Sequence, residues 1–498
     1  MNVDILKIVF TPEMLLFALF GTFLGILFAA IPGLNCAVGV SLLLPVTFSL
    51  SPAAGLLMLG GIYMGGMYGG SITSILINVP GCVEATCTAW EGYPLTEQGR
   101  SREALYYSIF ASTLGGLLGI LCLIFLTPPL AKFALKFGSP EMFLLGLAGL
   151  TVVGTLAGEN IWKSLFACAL GLFISTIGMD SMTTVKRMTF GISALNTGIK
   201  SVSIVIGFYC FSEMFKNIGQ KKSETFKFKD NPIKATTVIA DIFKHWFLLI
   251  KSILLGILLG ILPGIGGGTA SFVAYGEAKR SAKHPETFGK GNPDGIIAAE
   301  SANNAVVGGA LIPLLTLGIP GSTTAAIIGA ALTMHGLIMG PELFSMRPDV
   351  AYIFMYGMML SVIAMGLIGA FGIKWFNKIL KINMFYLIPI VIVFALFGAF
   401  SLSNNMTDVY TAVVFGIIGA LLKAFDVPLS PVMIGVVLSQ LIERNLRRTM
   451  KMSKAAGVNI VQYCAGRPGC IILFVILIAF IILFTNSRRK QKKAAASN

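Results

Sequence analysis

Charged residues are scarce in this chain. They make up 12% of its 498 residues, while hydrophobic residues make up 55% and the mean hydropathy is +0.84. Because soluble domains carry about 25% charged residues, a soluble enzyme is excluded. A membrane-spanning helix needs about 20 apolar residues, so the composition predicts an all-α polytopic membrane protein with roughly 12–14 membrane segments.

The chain also lacks the short motifs of soluble chemistry. Its eight cysteines form no C-x-x-C pair and no cluster with histidine, so we expect them to be buried small apolar residues. No Walker-type G-x-x-x-x-G-K-[ST], H-E-x-x-H or G-x-S-x-G sequence is present. We therefore expect neither ATP hydrolysis, nor another enzymatic activity, nor a bound cofactor.

Positive charge is in excess, with 37 Lys+Arg residues against 22 Asp+Glu. Most of it lies between apolar spans and at the end of the chain. Such clusters indicate the cytoplasmic side of a membrane protein and contacts with lipid headgroups, and nucleic-acid binding is the disfavoured alternative. The C-terminus is therefore predicted to be cytoplasmic. The main clusters lie within residues 216–234, 444–454 and 488–493.

Apolar runs bounded by charge clusters, proline or glycine predict the helices. The first run, 14–31, has spanning length and is expected to be a retained helix rather than a removable signal peptide. Segments 36–50, 81–91, 264–278 and 321–338 are too short or too rich in glycine and threonine to cross comfortably, which predicts re-entrant or broken helices. The spanning segments are predicted near 13–31, 53–79, 104–127, 141–158, 161–178, 201–218, 246–262, 297–319, 350–372, 384–402, 409–425, 428–442 and 469–485.

Two sequence patterns occur twice in the same order. Residues 25–34 (GILFAAIPGL) match residues 256–265 (GILLGILPGI), an offset of 231 residues. Residues 77–81 (INVPG) match residues 317–321 (LGIPG), an offset of 240 residues. A single Pro-Gly pair marks an ordinary turn, but two patterns repeated in register predict two related halves. We expect these halves to have inverted topology.

The repeat divides the chain into domains. The basic cluster between the halves is predicted to be a linker, and the last cluster a tail on the cytoplasmic side. The predicted domains are the first repeat half with peripheral helices (1–215), the basic linker (216–245), the second repeat half with peripheral helices (246–425), the C-terminal helices (426–485) and the basic cytoplasmic tail (486–498).

The Pro-Gly pairs fall at the ends of apolar spans, where they stop a helix. Proline lacks an N–H and clashes with the preceding turn, whereas glycine accepts the backbone angles of a restart. Freed backbone groups are costly in hydrocarbon, so such breaks are tolerated where they line a cavity. A helix that restarts there presents unpaired N–H groups and a partial positive charge, which suits a carboxylate. The pattern is typical of secondary transporters.

Polar residues within and after the spans indicate the same region. Ser71, Thr73 and Thr324 are equally compatible with helix packing, and Asn303 and Asn304 with hydrogen bonds between helices. The predicted substrate-binding residues are Ser71, Thr73, Asn78, Gly81, Gly321, Ser322, Thr323 and Thr324. The residues predicted to coordinate a cation are Gly33, Asn35, Gly264, Gly266, Asn303 and Asn304.

Four further ionisable residues lie near these segments. Glu300 is a functional candidate, because a carboxylate within the membrane is costly; the alternative is a position at the interface beside Asp294. Glu84 and Glu91 are expected to be solvated, since charged residues follow at 97–103. His335 is a candidate for proton coupling, although a role unrelated to protons is favoured.

Several stretches resemble a known family. Residues 68–81 (YGGSITSILINVPG), 92–94 (GYP), 300–305 (ESANNA) and 311–321 (LIPLLTLGIPG) resemble the large membrane subunit of the tripartite tricarboxylate transporters, the TctA type. The resemblance spans nearly the whole chain. It has departures: Glu91 stands where the family usually has Asp, Ala299 and Met339 stand where proline is expected, and Cys82-Val83-Glu84 is unusual after the first Pro-Gly.

This resemblance implies a function. It implies a bacterial inner-membrane permease that imports a tricarboxylate or dicarboxylate, driven by a Na⁺ or H⁺ gradient. The implied partners are a small four-helix membrane subunit and a periplasmic solute-binding protein, and a homo-oligomer is compatible with the sequence. The unusual residues 82–84 suggest an altered substrate preference. A passive organic-anion channel is the alternative, because it would use the same helix ends without a counter-ion.

Overall fold

The computed structural model describes residues 3–31, 34–156, 160–180, 183–217, 233–264, 266–379, 384–402, 404–475 and 477–478. These residues are almost entirely helical. The strands found among them are Gly178–Met179 and Lys186–Arg187, which pair antiparallel in a short hairpin. The all-α fold predicted from the composition is confirmed.

The first half contains ten α-helices among its described residues, and helix breaks fall after α2 and α4. Three 3₁₀ turns (Pro45–Ser49, Val83–Ala85 and Ser193–Thr197) and one π-helix (Ile206–Phe211) lie between them. In chain order the helices are α1 (Val3–Val9), α2 (Pro12–Ala29), α3 (Cys36–Leu43), α4 (Pro52–Ile77), α5 (Thr86–Glu97), α6 (Ser101–Ala134), α7 (Ser139–Leu156), α8 (Ile161–Ser175), α9 (Ser201–Val205) and α10 (Ser212–Asn217).

The rest of the chain continues with the same kinds of element, and a 3₁₀ turn (Pro285–Thr287) precedes α14. The helices are α11 (Ala235–Lys244), α12 (Trp246–Ile261), α13 (Gly266–Ser281), α14 (Pro293–Leu317), α15 (Thr323–Met334), α16 (Pro341–Met346), α17 (Pro348–Ile379), α18 (Met384–Ser401), α19 (Met406–Ala424), α20 (Leu429–Ala455) and α21 (Ile460–Ala465).

Five of the described helices are long and apolar enough to cross a membrane, namely α2, α6, α14, α17 and α19. The bent pair α11 and α12, with 80° between its arms, would make a sixth. Other predicted segments form helices that do not meet these requirements. Helices α3, α8 and α15 are apolar but shorter than a membrane span, and α20 joins an apolar first part to a basic second part. Helices α4 and α14 are buried along nearly their whole length, so each is the central helix of its half.

All five predicted domains contain residues outside the described ranges. In the predicted linker 216–245, residues 218–232 lie outside them, whereas 235–244 form α11 with Val238 and Ile242 buried. The predicted helix 469–485 is helical over its described part, and the predicted tail 486–498 lies outside the described residues. Two other predicted short segments, 264–278 and 321–338, correspond to α13 and α15.

The two halves contain the same break after a long helix. The residue after α4 is Asn78 (φ 54°) and the residue after α14 is Gly318 (φ 73°), and both cap their helix in the left-handed region. The next amide also repeats, because Val79 N donates to Thr73 O at 3.4 Å and Ile319 N donates to Pro313 O at 3.2 Å. The corresponding positions are 240 residues apart, so the repeat found in the sequence is also present in the hydrogen bonding.

The glycine of each break is held against two helices. Gly81 N donates to Gly70 O and Gly321 N donates to Ala310 O, each at 3.2 Å. A Cβ atom at Gly81 would collide with the carbonyl oxygen of Ala29, and a Cβ atom at Gly321 with that of Gly260. Only glycine therefore fits where the first break folds back between α4 and α2 and the second between α14 and α12.

Helices α6 and α17, the long helices that follow the repeated segments of the two halves, pack mainly on the opposite half. Within the halves, α2 packs on α4 and α12 packs on α14. Between them, α6 of the first half covers α14, while α17 of the second half covers α4 and α2. Gly115 and Gly119 of α6 lie directly against the backbone at Ser301 and Ala305 of α14, which is the close approach that small residues permit between membrane helices.

Candidate functional site

Helix starts from both halves meet at one place in the described structure. The Cys36 thiol at the start of α3 lies 3.5 Å from the Thr324 hydroxyl at the start of α15. The Tyr63 hydroxyl of α4 lies 2.8 Å from the Ser322 hydroxyl. All four side chains are buried. The first half thus contacts the second-half break through side chains from two of its helices.

Both helix starts are capped by the residue that precedes them. Asn35 Oδ1 accepts from Val38 N at 3.0 Å, and Ser322 Oγ accepts from Ala325 N at 3.1 Å. Such caps satisfy one amide of the first turn, while the remaining first-turn amides have no acceptor within the helix. The helix starts can therefore donate hydrogen bonds to an anion that binds at these ends.

A second contact joins the start of α13 to the first-half break. A Cβ atom at Gly267 would lie 2.5 Å from Asn303 Oδ1 and 2.9 Å from Glu84 Cγ, and one at Gly268 would lie 3.0 Å from Val83 Cγ1. The glycines therefore let α13 begin directly against the 3₁₀ turn Val83–Ala85 and the side chain of Asn303.

Tyr63 and Asn303 are equivalent positions of the repeat, 240 residues apart on α4 and α14. Asn303 Nδ2 donates to Met67 O at 3.0 Å, which ties α14 to α4. Asn303 Oδ1 is buried and has no hydrogen-bond partner among the described residues. Glu84 is close enough to Cys36 and Tyr63 to interact with both electrostatically, so the two contacts belong to one region. We call it the break region, and its residues are Cys36, Tyr63, Val83, Glu84, Gly267, Gly268, Asn303, Ser322 and Thr324.

The other predicted substrate-binding residues have different surroundings. Thr73 Oγ1 donates to Gly70 O at 3.2 Å, and Asn78 is exposed at the end of α4. Thr323 Oγ1 donates to Ser430 Oγ of α20 at 2.5 Å. The amides of Gly81 and Gly321 already donate to backbone carbonyls. A hydrogen bond from either amide to a substrate would require that pairing to break.

The residues predicted to hold a cation do not form one cluster in the described structure. Gly33 lies outside the described residues. Gly264 N donates to Gly321 O at 3.1 Å, while Gly266 (φ 66°) has open space on its Cβ side. Asn304 Nδ2 donates to Glu300 O at 3.3 Å, and its Oδ1 is buried without a partner among the described residues.

Ser71 lies beside Glu300 rather than in the break region. Its hydroxyl donates to Glu300 Oε1 at 2.5 Å, and the Thr88 hydroxyl donates to the same oxygen. The Ser112 hydroxyl donates to Glu300 Oε2 at 2.8 Å. Glu300 is only 1% exposed, so it does not share the solvated surface of Asp294 that the alternative required.

The expectation that Glu91 is solvated is wrong. Its side chain is fully buried and accepts a hydrogen bond from the Tyr275 hydroxyl at 2.7 Å. The amides of Gly289, Gly291 and Asn292 also donate to it, at 2.6, 2.9 and 2.8 Å. The loop between α13 and α14 folds over α5 and encloses this carboxylate. Glu84, by contrast, is only half-buried.

His335 follows α15, away from the residues named so far. It is half-buried, and its Nε2 has no hydrogen-bond partner among the described residues. A Cβ atom at Gly55 of α4 would lie against this nitrogen and against Thr47. No contact described in the structure connects His335 to Glu300 or to the break region.

Sequence reasoning missed Tyr63, Cys36, Thr88 and Ser112. Tyr63 could have been found from the repeat, because the 240-residue offset places it opposite Asn303. Thr88 and Ser112 carry no such signal, since isolated hydroxyl residues are common packing residues in membrane helices. Their shared contact with Glu300 becomes visible only when α5, α6 and α14 are packed together.

Comparison with known proteins identifies the family of the chain. Residues 15–434 match the family described as "Tripartite tricarboxylate transporter TctA family". The chain belongs to this family. It is therefore a multi-pass membrane protein and a transporter subunit. The residues matched to the TctA family include the helix breaks, the hydroxyl contacts of Glu300 and the buried Glu91.

Two relatives come from Agrobacterium vitis. The protein described as "Uncharacterized 52.8 kDa protein in TAR-I ttuC' 3'region" is 36% identical over 449 residues, which cover 89% of this chain and 88% of the relative. The one described as "Uncharacterized protein in TAR-II ttuC' 3'region" is 38% identical over 196 residues, 38% of this chain and 79% of the relative. No solved structure matches this chain.

Proposed function

We propose that this TctA-family chain is the permease of a tripartite importer that moves a dicarboxylate or tricarboxylate across the bacterial inner membrane, coupled to a cation gradient. The observation that carries the proposal is the meeting of helix starts from both halves. Cys36 and Thr324 join two such starts, and Gly267 places a third against the turn Val83–Ala85. Convergent helix starts are the usual substrate site of secondary transporters.

The substrate's carboxylate groups are held by neutral donors in this proposal. First-turn amides of α3, α13 and α15 and the hydroxyls of Tyr63 and Ser322 supply the hydrogen bonds. A neutral site suits transport, because a lysine or arginine partner would bind a carboxylate through charge as well and slow its release. Thr324 and Asn303 add polar groups to the same region.

Glu84 sets a limit on the charge of the substrate. Its carboxylate stands beside the glycine-rich start of α13. Like charges brought together away from water repel each other, so a substrate with fewer negative charges is favoured at this end. We propose that the chain prefers a dicarboxylate, or a tricarboxylate that carries one proton, over a fully ionised tricarboxylate.

The partners follow from the tripartite arrangement of the family. We propose a periplasmic binding protein that delivers the carboxylate and a small four-helix membrane subunit that packs beside this chain. The C-terminal basic residues are proposed to lie on the cytoplasmic side. The exposed apolar faces of α17 and α19, with Phe371 and Val414, are available for lipid or for the small subunit.

Reconstituted transport tests the proposal. The full chain is placed in proteoliposomes with the proposed small subunit and binding protein, and uptake of radiolabelled citrate and of radiolabelled succinate is measured with and without Na⁺ and proton gradients. The proposal expects saturable accumulation above the outside concentration, with a gradient and the binding protein both required. Equilibration without accumulation, independent of any gradient, would instead identify a passive anion channel.

A further inference from the structure

A second polar centre lies apart from the break region, around Glu300. Its carboxylate accepts hydrogen bonds from Ser71, Thr88 and Ser112, as described above. The Ser108 side chain also faces this carboxylate. Its hydroxyl is buried and has no hydrogen-bond partner among the described residues. We call these five residues the Glu300 cage. They lie on α4, α5, α6 and α14, so the cage joins both halves.

Among the described residues, no positive side chain balances the charge of the cage. In the described part of the chain Glu300 forms no ion pair, and its neighbours are hydroxyl groups. A carboxylate buried in a membrane protein without a counter-charge is costly, and such residues mark ion pathways. Since none of the described residues supplies this positive charge, a small cation from solution would balance the cage.

The oxygen atoms of the cage suit a hard metal cation. Two carboxylate oxygens and the hydroxyl oxygens of Ser71, Thr88, Ser108 and Ser112 face one another. A hydroxyl group both donates and accepts. Each hydroxyl can thus donate to Glu300 when no ion is bound and turn a lone pair inwards when one is. A lone proton would need one of these oxygens, whereas a metal cation uses the whole set.

We propose that the Glu300 cage binds one Na⁺ ion and is the coupling-ion site of the transporter. This proposal rests on the proposed function and moves the ion from the predicted glycine and asparagine positions to a different centre. The single negative charge of Glu300 matches a monovalent ion and leaves the loaded cage neutral. A divalent ion would leave an uncompensated positive charge in a buried site.

The Glu300 cage and the break region are connected through helix α14, which carries residues of both, and through the start of α5. Thr88 lies in the first turn of α5, directly after the turn Val83–Ala85 that contacts the start of α13. Asn303 lies about one turn beyond Glu300 on α14, and its Oδ1 faces Gly267 at the start of α13. An ion that draws Thr88 and Glu300 together therefore fixes the geometry of the substrate site and strengthens substrate binding. Thermodynamic linkage then requires the bound substrate to strengthen ion binding by the same factor.

Ion binding to the purified full-length chain tests the proposal without knowledge of the substrate. Binding of radioactive sodium is measured by equilibrium dialysis in detergent, with unlabelled NaCl and KCl as competitors. The wild type is expected to bind one Na⁺ per chain, displaced by NaCl but not by KCl. Thr88→Val removes one hydroxyl at constant shape and is expected to weaken binding about tenfold, and Glu300→Gln is expected to abolish it.

Two further variants separate an ion ligand from a structural role. Thr88→Ser keeps the hydroxyl and is expected to restore wild-type affinity. Ser361→Ala removes a buried hydroxyl from α17, away from the cage, and is expected to leave Na⁺ binding unchanged. Size-exclusion profiles identify variants that misfold. If Glu300→Gln misfolds, the comparison between Thr88→Val and Thr88→Ser decides the question.

Several results would overturn the Na⁺ site. They are the absence of saturable Na⁺ binding in the wild type, wild-type affinity in folded Glu300→Gln, and equal affinity in Thr88→Val and Thr88→Ser. A transporter driven by protons alone would give the first of these. If the wild type binds Na⁺ through the cage but accumulates no carboxylate in proteoliposomes, the proposed transport function fails while the ion site stands.

Discussion

The hydroxyl of Tyr63 lies 2.8 Å from the hydroxyl of Ser322, across the boundary between the two halves of the chain. Ser322 also caps α15, so one oxygen serves the fold and faces the proposed substrate. Any displacement of α15 relative to α4 breaks this hydrogen bond. The pair is therefore positioned to respond when the halves move during transport.

Removing the Tyr63 hydroxyl should weaken substrate binding with little effect on folding. One neutral hydrogen bond contributes about 1 kcal/mol, so Tyr63→Phe is expected to raise the KM for carboxylate uptake about fivefold. Initial rates in proteoliposomes measure the change. Tyr352→Phe is the matched control, because Tyr352 stacks on Tyr356 away from the break region. Equal KM values for both variants would remove Tyr63 from the site.

Substitutions of Ser322 should separate helix capping from substrate binding. Ser322→Ala loses the cap, which costs about 1 kcal/mol, and is expected to lower both thermal stability and substrate affinity. Ser322→Asp keeps a good capping residue but adds a negative charge at the helix start, so it should retain stability and lose uptake. Ser322→Asn keeps a neutral cap and is the control. Wild-type uptake by Ser322→Asp would contradict an anion site at α15.

The start of α13 should not tolerate a side chain at Gly267. A Cβ atom there would lie 2.5 Å from Asn303 Oδ1, so Gly267→Ala is expected to displace α13 from the turn Val83–Ala85 and abolish uptake. Gly276→Ala lies on the same helix with nothing within 4 Å of the added carbon, and it should stabilise α13 by about 1 kcal/mol. Uptake and thermal unfolding are measured for both. Normal uptake by Gly267→Ala would show that this close approach is dispensable.

Glu91 should be a major stabilising residue. Glu91→Ala leaves the amides of Gly289, Gly291 and Asn292 without their acceptor, and unsatisfied buried groups cost about 1–3 kcal/mol each. A clear fall in the midpoint of thermal unfolding is expected. Glu286→Ala removes an exposed carboxylate from the same loop and should leave the midpoint unchanged. Identical midpoints would mean that the loop holds its position without Glu91.

The features that the sequence predicted correctly were those encoded locally or by repetition. Apolar runs located the long helices. The 240-residue offset reappears in the hydrogen bonds of Gly81 and Gly321, and the 231-residue offset reappears in the packing of these glycines against Ala29 and Gly260. The Pro-Gly pairs located the breaks, because proline and glycine act on the backbone of their own segment. No knowledge of the packing was needed for these predictions.

The features that depend on distant contacts were not predictable in this way. Glu91 precedes a charged stretch, which suggested water, but its surroundings are set by a loop almost 200 residues later. The substrate assignment of Ser71 followed its position near a break, whereas its hydroxyl faces Glu300 on another helix. In both cases the partner comes from the opposite half, and the local sequence carries no signal for that pairing.

The exchange of α6 and α17 between the halves makes each half depend on the other. The central helix of each half is covered partly by its own half, since α2 packs on α4 and α12 packs on α14, and partly by the other half, since α17 lies over α4 and α6 lies over α14. A peptide of half the length would leave one face of its central helix bare. We therefore expect neither half to fold stably when it is expressed alone.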